Sequence, residues 1–565
     1  MNIRIVAPPV TSMAAGFLLA CASVSAASMP LIDAIKTGQH AAAVDVITKK
    51  SADVNLAEAD GSTALLWAAN QNDADLVARL VKAGANPNAR NKLNSSPLLE
   101  AVLNANTEAI KALLDAGADP NAAGPDGQTP LMVIARTANV AAAKLLMDKG
   151  ANPNAKEAQH KQTSLMWAAA ANQGPMVREL LAHGAEADAK TAFDLMVASV
   201  SAEPRAQPRS PGGMTAMLFA AREGCVECAK ALIEKGAKVD LPDPEGVTPL
   251  ISSLFNAHFD FAKLLIERGA NVDRWDWWGR GPVYMAVDYN TLPHGGRPDQ
   301  PSMDATLPID IVRMLLDRGA NPNLQLKLAI PYRATGNDRG LDGLLTVGST
   351  PLLRAAKAQD ADAIKLLLDH GANLELASSQ GMTPLLAASG IGSGDRDSRG
   401  NYRAADIQDR AIATFELMLS HGAQLNAPAG RQGQVPLQGA AMWGWDRVTG
   451  YLLTKGATIN QADSRGFTAL DYAQGRGGST GNAFDVSAGR KLTADLLIAK
   501  GGVIGIPIPQ PAGGRGGAPG GAAAPAGAGR GGAAVGGTPG AGAGGGGRGG
   551  AGGAGRGGAP AGRQQ

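Results

Sequence analysis

The chain has 565 residues, with 52 Lys and Arg against 50 Asp and Glu, a formal net charge of +2. So even a balance gives the whole molecule no electrostatic pull on nucleic acid, which is not expected as a partner. Aromatics are 4% of the chain, Gly numbers 73 and Cys only 3, a composition suited to small helices packed closely through Ala, with too few thiols for a four-ligand zinc site.

The chain opens on what reads as an export signal over residues 1–26. Arg4 supplies a weak positive start, Met13–Ala22 is a short apolar stretch, and Val24-Ser25-Ala26 offers small residues for cleavage after Ala26. A competing reading lies inside it, because Leu18-Leu19-Ala20-Cys21 is similar to a lipoprotein box with Cys21 as a lipid anchor. Export to the periplasm or medium is expected on either reading. No later apolar run is long enough to span a bilayer, so no transmembrane helix is expected.

From about residue 29 to 502 one pattern returns about every 33 residues. It reads STALLWAA at Ser62–Ala69, SSPLLEAV at Ser95–Val102, QTPLMVIA at Gln128–Ala135 and QTSLMWAA at Gln162–Ala169. Later copies are VTPLISSL (Val247–Leu254), STPLLRAA (Ser349–Ala356) and MTPLLAAS (Met382–Ser389), with weaker ones at Met214, Arg280, Gln434 and Phe467. A second motif follows each compact copy, as in LVKAGANPN ending at Asn88, LLDAGADPN at Asn121 and LLDRGANPN at Asn323.

The parts have mechanical roles. Thr caps the first helix, and Pro behind it has no N–H to lose. The Ala pair admits a neighbouring helix. The second helix buries a Leu-Leu pair and ends at Gly, which takes the left-handed turn. One such pair cannot bury its own apolar face, so copies must stack.

These residues resemble the ankyrin repeat, whose signature is T-P-L-H-x-A-A followed by a Gly-Ala-Asp-Val-Asn-like turn. The resemblance implies an all-α ankyrin-repeat solenoid of about twelve helix-turn-helix copies with projecting turns. The family's His is replaced throughout, by Leu66, Met132, Met166, Leu353 and Leu386 among others. Inserts interrupt the period near 190–213, 290–306, 324–347, 390–407 and 475–488, and long loops are where specific contacts often sit.

Residues 503–565 are expected to form a disordered tail, which from Pro509 on is almost wholly Gly, Ala and Pro with scattered Arg. Its Arg-Gly-Gly units are similar to RNA-binding tails, but an export signal and sparse charge argue instead for weak affinity toward anionic envelope polymers.

Candidate chemistry is thin. Cys225 and Cys228, three apart at a helix start, read as a possible disulfide or buried thiols, with redox activity and metal binding as less favoured alternatives. His183, His370 and His421 each precede a helix-ending Gly, where a cation suits the helix dipole, and they offer no metal site. No phosphate-binding Gly loop, nucleophile elbow or zinc-binding HExxH appears, so no catalytic residue, cofactor or metal is expected.

Tryptophan says more. Trp67 and Trp167 lie in first helices, where packing is the expected role. Trp277 and Trp278 fall in an inter-repeat turn and Trp443 just past a first helix, positions the family uses for contact. The expected partner-binding surface therefore combines Trp277, Trp278, Arg280, Tyr289, Arg354, Met442 and Trp443. Burial of these rings beneath the adjacent inserts is the competing reading. The function implied is a monomeric, non-catalytic scaffold binding an unknown protein or peptide in its concave groove. A carbohydrate or cell-wall binder is the rival, and an enzyme built from His294, Asp304, Asp338 and Arg339 is a distant third.

Overall fold

A computed structural model describes residues 30–193, 212–291, 302–328, 344–392, 405–477 and 487–508. The expected leader with Cys21, the insert residues His294, Asp338 and Arg339, and the chain beyond Ile508 lie outside the described residues. The described residues lie within one compact unit, to which everything below refers.

Among the described residues, 24 helices form twelve antiparallel pairs, from Pro30–Lys36 with His40–Thr48 to Ala469–Ala473 with Ser487–Ala499. No strand is present there; three isolated bridges, such as Ala57 with Thr63, mark the bases of projecting turns. No described helix is long and apolar enough to cross a membrane.

The caps act as the motif requires. Thr63 Oγ1 accepts from the Leu66 N–H at 3.3 Å, and Thr129, Thr215, Thr248, Thr350 and Thr383 repeat the contact in their copies. Second helices begin on Asp73, Asn106, Asn139 or Asp360, each accepting from the third helical N–H. They end at glycines such as Gly84 and Gly117, whose φ of +92° and +87° a side chain with Cβ adopts only at a cost. Between them, Leu65, Leu98 and Leu131 of first helices meet Leu80, Leu113 and Leu146 of second helices in a continuous buried core. Each such side chain contributes roughly 1.5–3 kcal/mol relative to exposure.

Where the family has His, the sulfurs of Met132 and Met166 lie 3.5 Å from the N–H groups of Thr129 and Thr163, a weak substitute acceptor. The last two pairs carry stronger ones: Gln438 Oε1 accepts from Val435 N at 2.9 Å and Asp471 Oδ2 from Thr468 N at 2.9 Å.

Two hydrogen-bond ladders tie the repeats. In one, the Asn closing each second motif bridges to the next repeat: Asn55 to Gly84 and Asn86, Asn121 to Gly150 and Asn152, Asn154 to Gly184 and Glu186. In the other, projecting turns donate a backbone N–H to their predecessors, as Lys92 to Asp60 (2.7 Å), Ala158 to Asp126 (3.0 Å) and Ser464 to Gln432 (2.8 Å). The chain from Val503 to Ile508 adds a final rung to both. Asn460 Oδ1 accepts from Val503 N at 2.9 Å, and Ile508 N donates to Arg465 O at 2.8 Å.

Candidate functional site on the inner helices

In every copy, the fifth residue of the inner-helix motif and the residue three beyond it share one side of the helix, away from the buried Leu pair. In chain order the fifth residues are Asp33, Trp67, Glu100, Val133 and Trp167, then Phe219, Ser252, Met285 and Arg354. Those up to Trp167 are at least partly exposed, whereas Phe219, Ser252, Met285 and Arg354 are buried. At the fifth position the inner face is therefore open over the first five repeats and covered from Phe219 to Arg354, while Arg222, three beyond Phe219, stays exposed.

This pattern corrects the expected binding surface. Trp278, Arg280, Arg354, Met442 and Trp443 are buried and cannot meet a partner as they stand. Around residue 276 the turn alternates: Trp275 and Trp277 point out, Trp277 at 47% exposure, while Asp276 and Trp278 point in, Trp278 at 8%. Asp276 fixes that register, since Oδ1 accepts from the Trp278 and Arg280 N–H groups at 3.0 and 2.9 Å. Its Oδ2 takes the Arg280 guanidinium at 2.6 Å, and that guanidinium stacks over Trp278 and Phe255. Arg280 is thus a brace inside the turn.

The other expected contacts are likewise structural. Tyr289, half-buried, donates its hydroxyl to the Phe255 carbonyl and meets Phe259 edge-on. Arg354 is wholly buried with Nε on Asp288 Oδ1 at 2.6 Å, and its Nη1 and Nη2 make no hydrogen bond. Trp443 donates Nε1 to the Gly390 carbonyl at 2.8 Å and stacks on Trp445, with Met442 buried beside it. Asp304 accepts from the Asp260 N–H at 2.9 Å, holding the start of helix Phe259–Glu267 to the segment before helix Pro308–Asp317. Cys225 and Cys228 are joined as a disulfide, both buried, with Cys225 at the N-cap of helix Val226–Glu234. Among the described residues no three His, Cys, Asp or Glu side chains gather as a metal site.

The open half holds two rings whose expected role was packing. Trp67 and Trp167 are only partly buried, each with a cation over its ring: Lys36 Nζ at 4.7 Å and Arg136 at 5.2 Å. Between them on helix Pro97–Leu103 stands Leu103, 65% exposed. Glu58 orders one end, accepting from Trp67 Nε1 at 2.6 Å and from Lys36 at 2.8 Å, and it raises the Lys36 pKa above the ordinary lysine value chiefly through that hydrogen bond. At the other end Glu157, the counterpart of Glu58 in its turn, accepts instead from the N–H groups of Gln159, His160 and Gln162, and Trp167 Nε1 is left without an acceptor. Glu100 sits between, held by Asn70 (2.9 Å) and Ser95 (2.5 Å). Two rings, an exposed Leu and fixed charges of both signs form a strip that runs across successive inner helices.

The family model for ankyrin repeats (3 copies) matches residues 31–124, 98–191, 192–276 and 308–395, more than half of the chain. The chain belongs to the ankyrin-repeat family. Repeats of this family generally mediate protein–protein interaction, and their fold is typically non-catalytic. A transient receptor potential cation channel subfamily A member 1 homolog of Caenorhabditis elegans is 27% identical over 127 residues, covering 22% of this chain and 9% of that one. The human ASB11 ankyrin repeat domain is 20% identical with a TM-score of 0.35, over 43% of this chain and 99% of that domain.

Proposed function

We propose that the chain is a non-catalytic scaffold of the cell envelope that binds a protein or peptide along the inner face of its first five repeats. The observation that carries this is the strip of Trp67, Leu103 and Trp167, whose two rings stay partly exposed where the side chains at their position in later repeats, Phe219, Ser252, Met285 and Arg354, are covered. Aromatic rings flanked by cations and an exposed aliphatic residue are the materials of binding hot spots. Lys36, Glu100 and Arg136 supply the polar rim that fixes orientation. The envelope assignment rests on the leader-like Met13–Ala26 segment.

The test is capture from envelope extract with the mature chain as bait, comparing wild type with Trp67→Ala/Trp167→Ala and with Trp277→Ala. A protein retained by wild type and by Trp277→Ala but lost from the double variant supports the reading. Retention by all three would move the interface off the inner face. Quenching of tryptophan fluorescence by saccharides, with no protein captured, would favour a carbohydrate ligand instead.

A further inference from the structure

We infer that the Trp167 end of the inner strip takes an acidic side chain of the partner, so that what docks there is a peptide carrying Glu or Asp beside apolar residues. The inference rests on the partner-binding reading and deepens it by naming the chemistry of the ligand.

The chain holds its own template for such a contact. At the other end of the strip one carboxylate joins a cation to an indole. Glu58 Oε2 accepts from Trp67 Nε1 at 2.6 Å and Oε1 from Lys36 Nζ at 2.8 Å, while Lys36 lies 4.7 Å over the Trp67 ring. The same cation and ring recur at the far end. Arg136, like Lys36, stands three residues beyond the fifth position of its repeat, and it lies 5.2 Å over the Trp167 ring of the next. Here, among the described residues, no carboxylate joins them.

The turn explains why. Trp67 stands nine residues after Glu58, whereas Trp167 stands ten after Glu157. In the shorter turn Asp60 does the bracing, its Oδ1 accepting from Ser62 N at 2.9 Å. In the longer one that bond, from Gln162 N at 3.0 Å, falls to Glu157, which also takes the N–H groups of Gln159 and His160 and is buried. Trp167 Nε1 is left as a buried donor with no acceptor, and the exposed Arg136 guanidinium has no carboxylate partner among the described residues. An unsatisfied buried donor is costly, and one carboxylate has the oxygens to meet it and the guanidinium together, as Glu58 does for Trp67 and Lys36.

The surroundings suit an anion. The turn that carries Glu157 also presents Lys156, His160 and Lys161 to solvent, and the next turn presents Lys190. Backbone bonds join these turns and the one before into a single ledge, Ala158 N to Asp126 O at 3.0 Å and Ala192 N to His160 O at 2.7 Å. Asp126 is the one exposed acid on it. Residues 30–193 carry 15 Lys and Arg against 17 Asp and Glu, so the cations of the ledge are segregated there and reflect no general excess. On the outer helices Arg79, Lys111 and Lys149 are paired with Asp75 or Asp115. Lys156 and Lys161, like Arg136, have no such partner among the described residues.

The test is fluorescence anisotropy of the full chain with a labelled, end-blocked peptide alternating Glu and Leu, against the same peptide with Gln for Glu. Wild type is expected to bind the Glu peptide at least about 10-fold more tightly. Arg136→Gln should remove most of that preference and Lys111→Gln none of it. Both side chains are exposed, so circular dichroism of each variant should match wild type. Equal binding of the two peptides, no binding of the Glu peptide, or an Arg136→Gln chain that keeps the full preference would overturn the proposal. A protein captured from envelope extract, lost from Trp67→Ala/Trp167→Ala and kept by Arg136→Gln, would also overturn it while leaving the partner-binding reading intact.

Discussion

Asn88 joins two repeats with one side chain. Its Nδ2 donates to the Gly117 carbonyl at 2.9 Å, and its Oδ1 accepts from the Asp119 N–H at 2.8 Å. The Gly117 carbonyl belongs to the left-handed turn that closes the second helix of the next copy, so the helix end is satisfied from outside its own repeat. Asp188, Asp240 and Asp273 hold the same place elsewhere and keep the acceptor half, from the N–H groups of Lys238, Asn271 and Asn321.

That division predicts graded effects. Asn88→Ala should cost on the order of 1 kcal/mol, and Asn88→Asp about half as much because one of its two bonds survives. Urea unfolding followed by circular dichroism measures both. An equal loss in the two variants would show that the donor half carries the whole contribution.

Buried charge predicts a larger effect. Asp288 is the hydrogen-bond partner described for the fully buried Arg354 guanidinium. Asp288→Ala should therefore destabilise by about 3–5 kcal/mol, the range for breaking a buried pair by removing one member. Arg354→Met, which removes the buried cation and keeps volume, should cost less when measured by the same unfolding.

How much of this was legible follows from which forces act locally. Thr63, Pro97, Gly84 and Asn88 act through their own turn or the adjoining repeat, so the helix pairs could be read from their spacing. Exposure of the fifth-position stripe depends on what covers each repeat, which no local pattern records. LLWAA around Trp67 and LMWAA around Trp167 look like core, yet both rings lie on the open face. The helical period was a usable signal, since Trp67 and Asn70 share a side opposite Leu65. In RWDWWGR the adjacent rings looked equivalent, and the extended turn separates them into exposed Trp277 and buried Trp278.

Acid should loosen one junction through a single carboxyl. Burial disfavours the Asp260 carboxylate, but the Thr306 hydroxyl and the N–H groups of Ala305 and Thr306 outweigh it and hold the pKa below the ordinary 3.8. A carboxyl depressed on folding contributes stability that is full above the unfolded pKa and lost as pH falls through the folded one. Hydrogen exchange at Thr306 should accordingly stay protected above pH 3.8 and speed up below it. Asp260→Asn should abolish that pH dependence, and its persistence in the variant would exclude this carboxyl as the cause.

Reduction of the Cys225–Cys228 bond should have a small effect. The bridged residues are three apart and already fixed by the helix start, so the entropy removed from the unfolded chain is slight. Thiol reduction should lower stability by no more than about 2 kcal/mol, with helicity retained in circular dichroism. Loss of the neighbouring helices on reduction would show that the pair holds more than its own turn.

The bridging Asn ladder has a consequence for how such a chain can change. Asn88 reaches its glycine across 29 residues, whereas Asn323 reaches Gly371 across 48, and the two bonds are 2.9 and 3.0 Å long. The array counts repeats, not residues. A segment spliced between two rungs leaves the joint on either side intact, so the scaffold accepts new loops without renegotiating its register. The same sites are where a foreign loop could be grafted with the least disturbance to the rest.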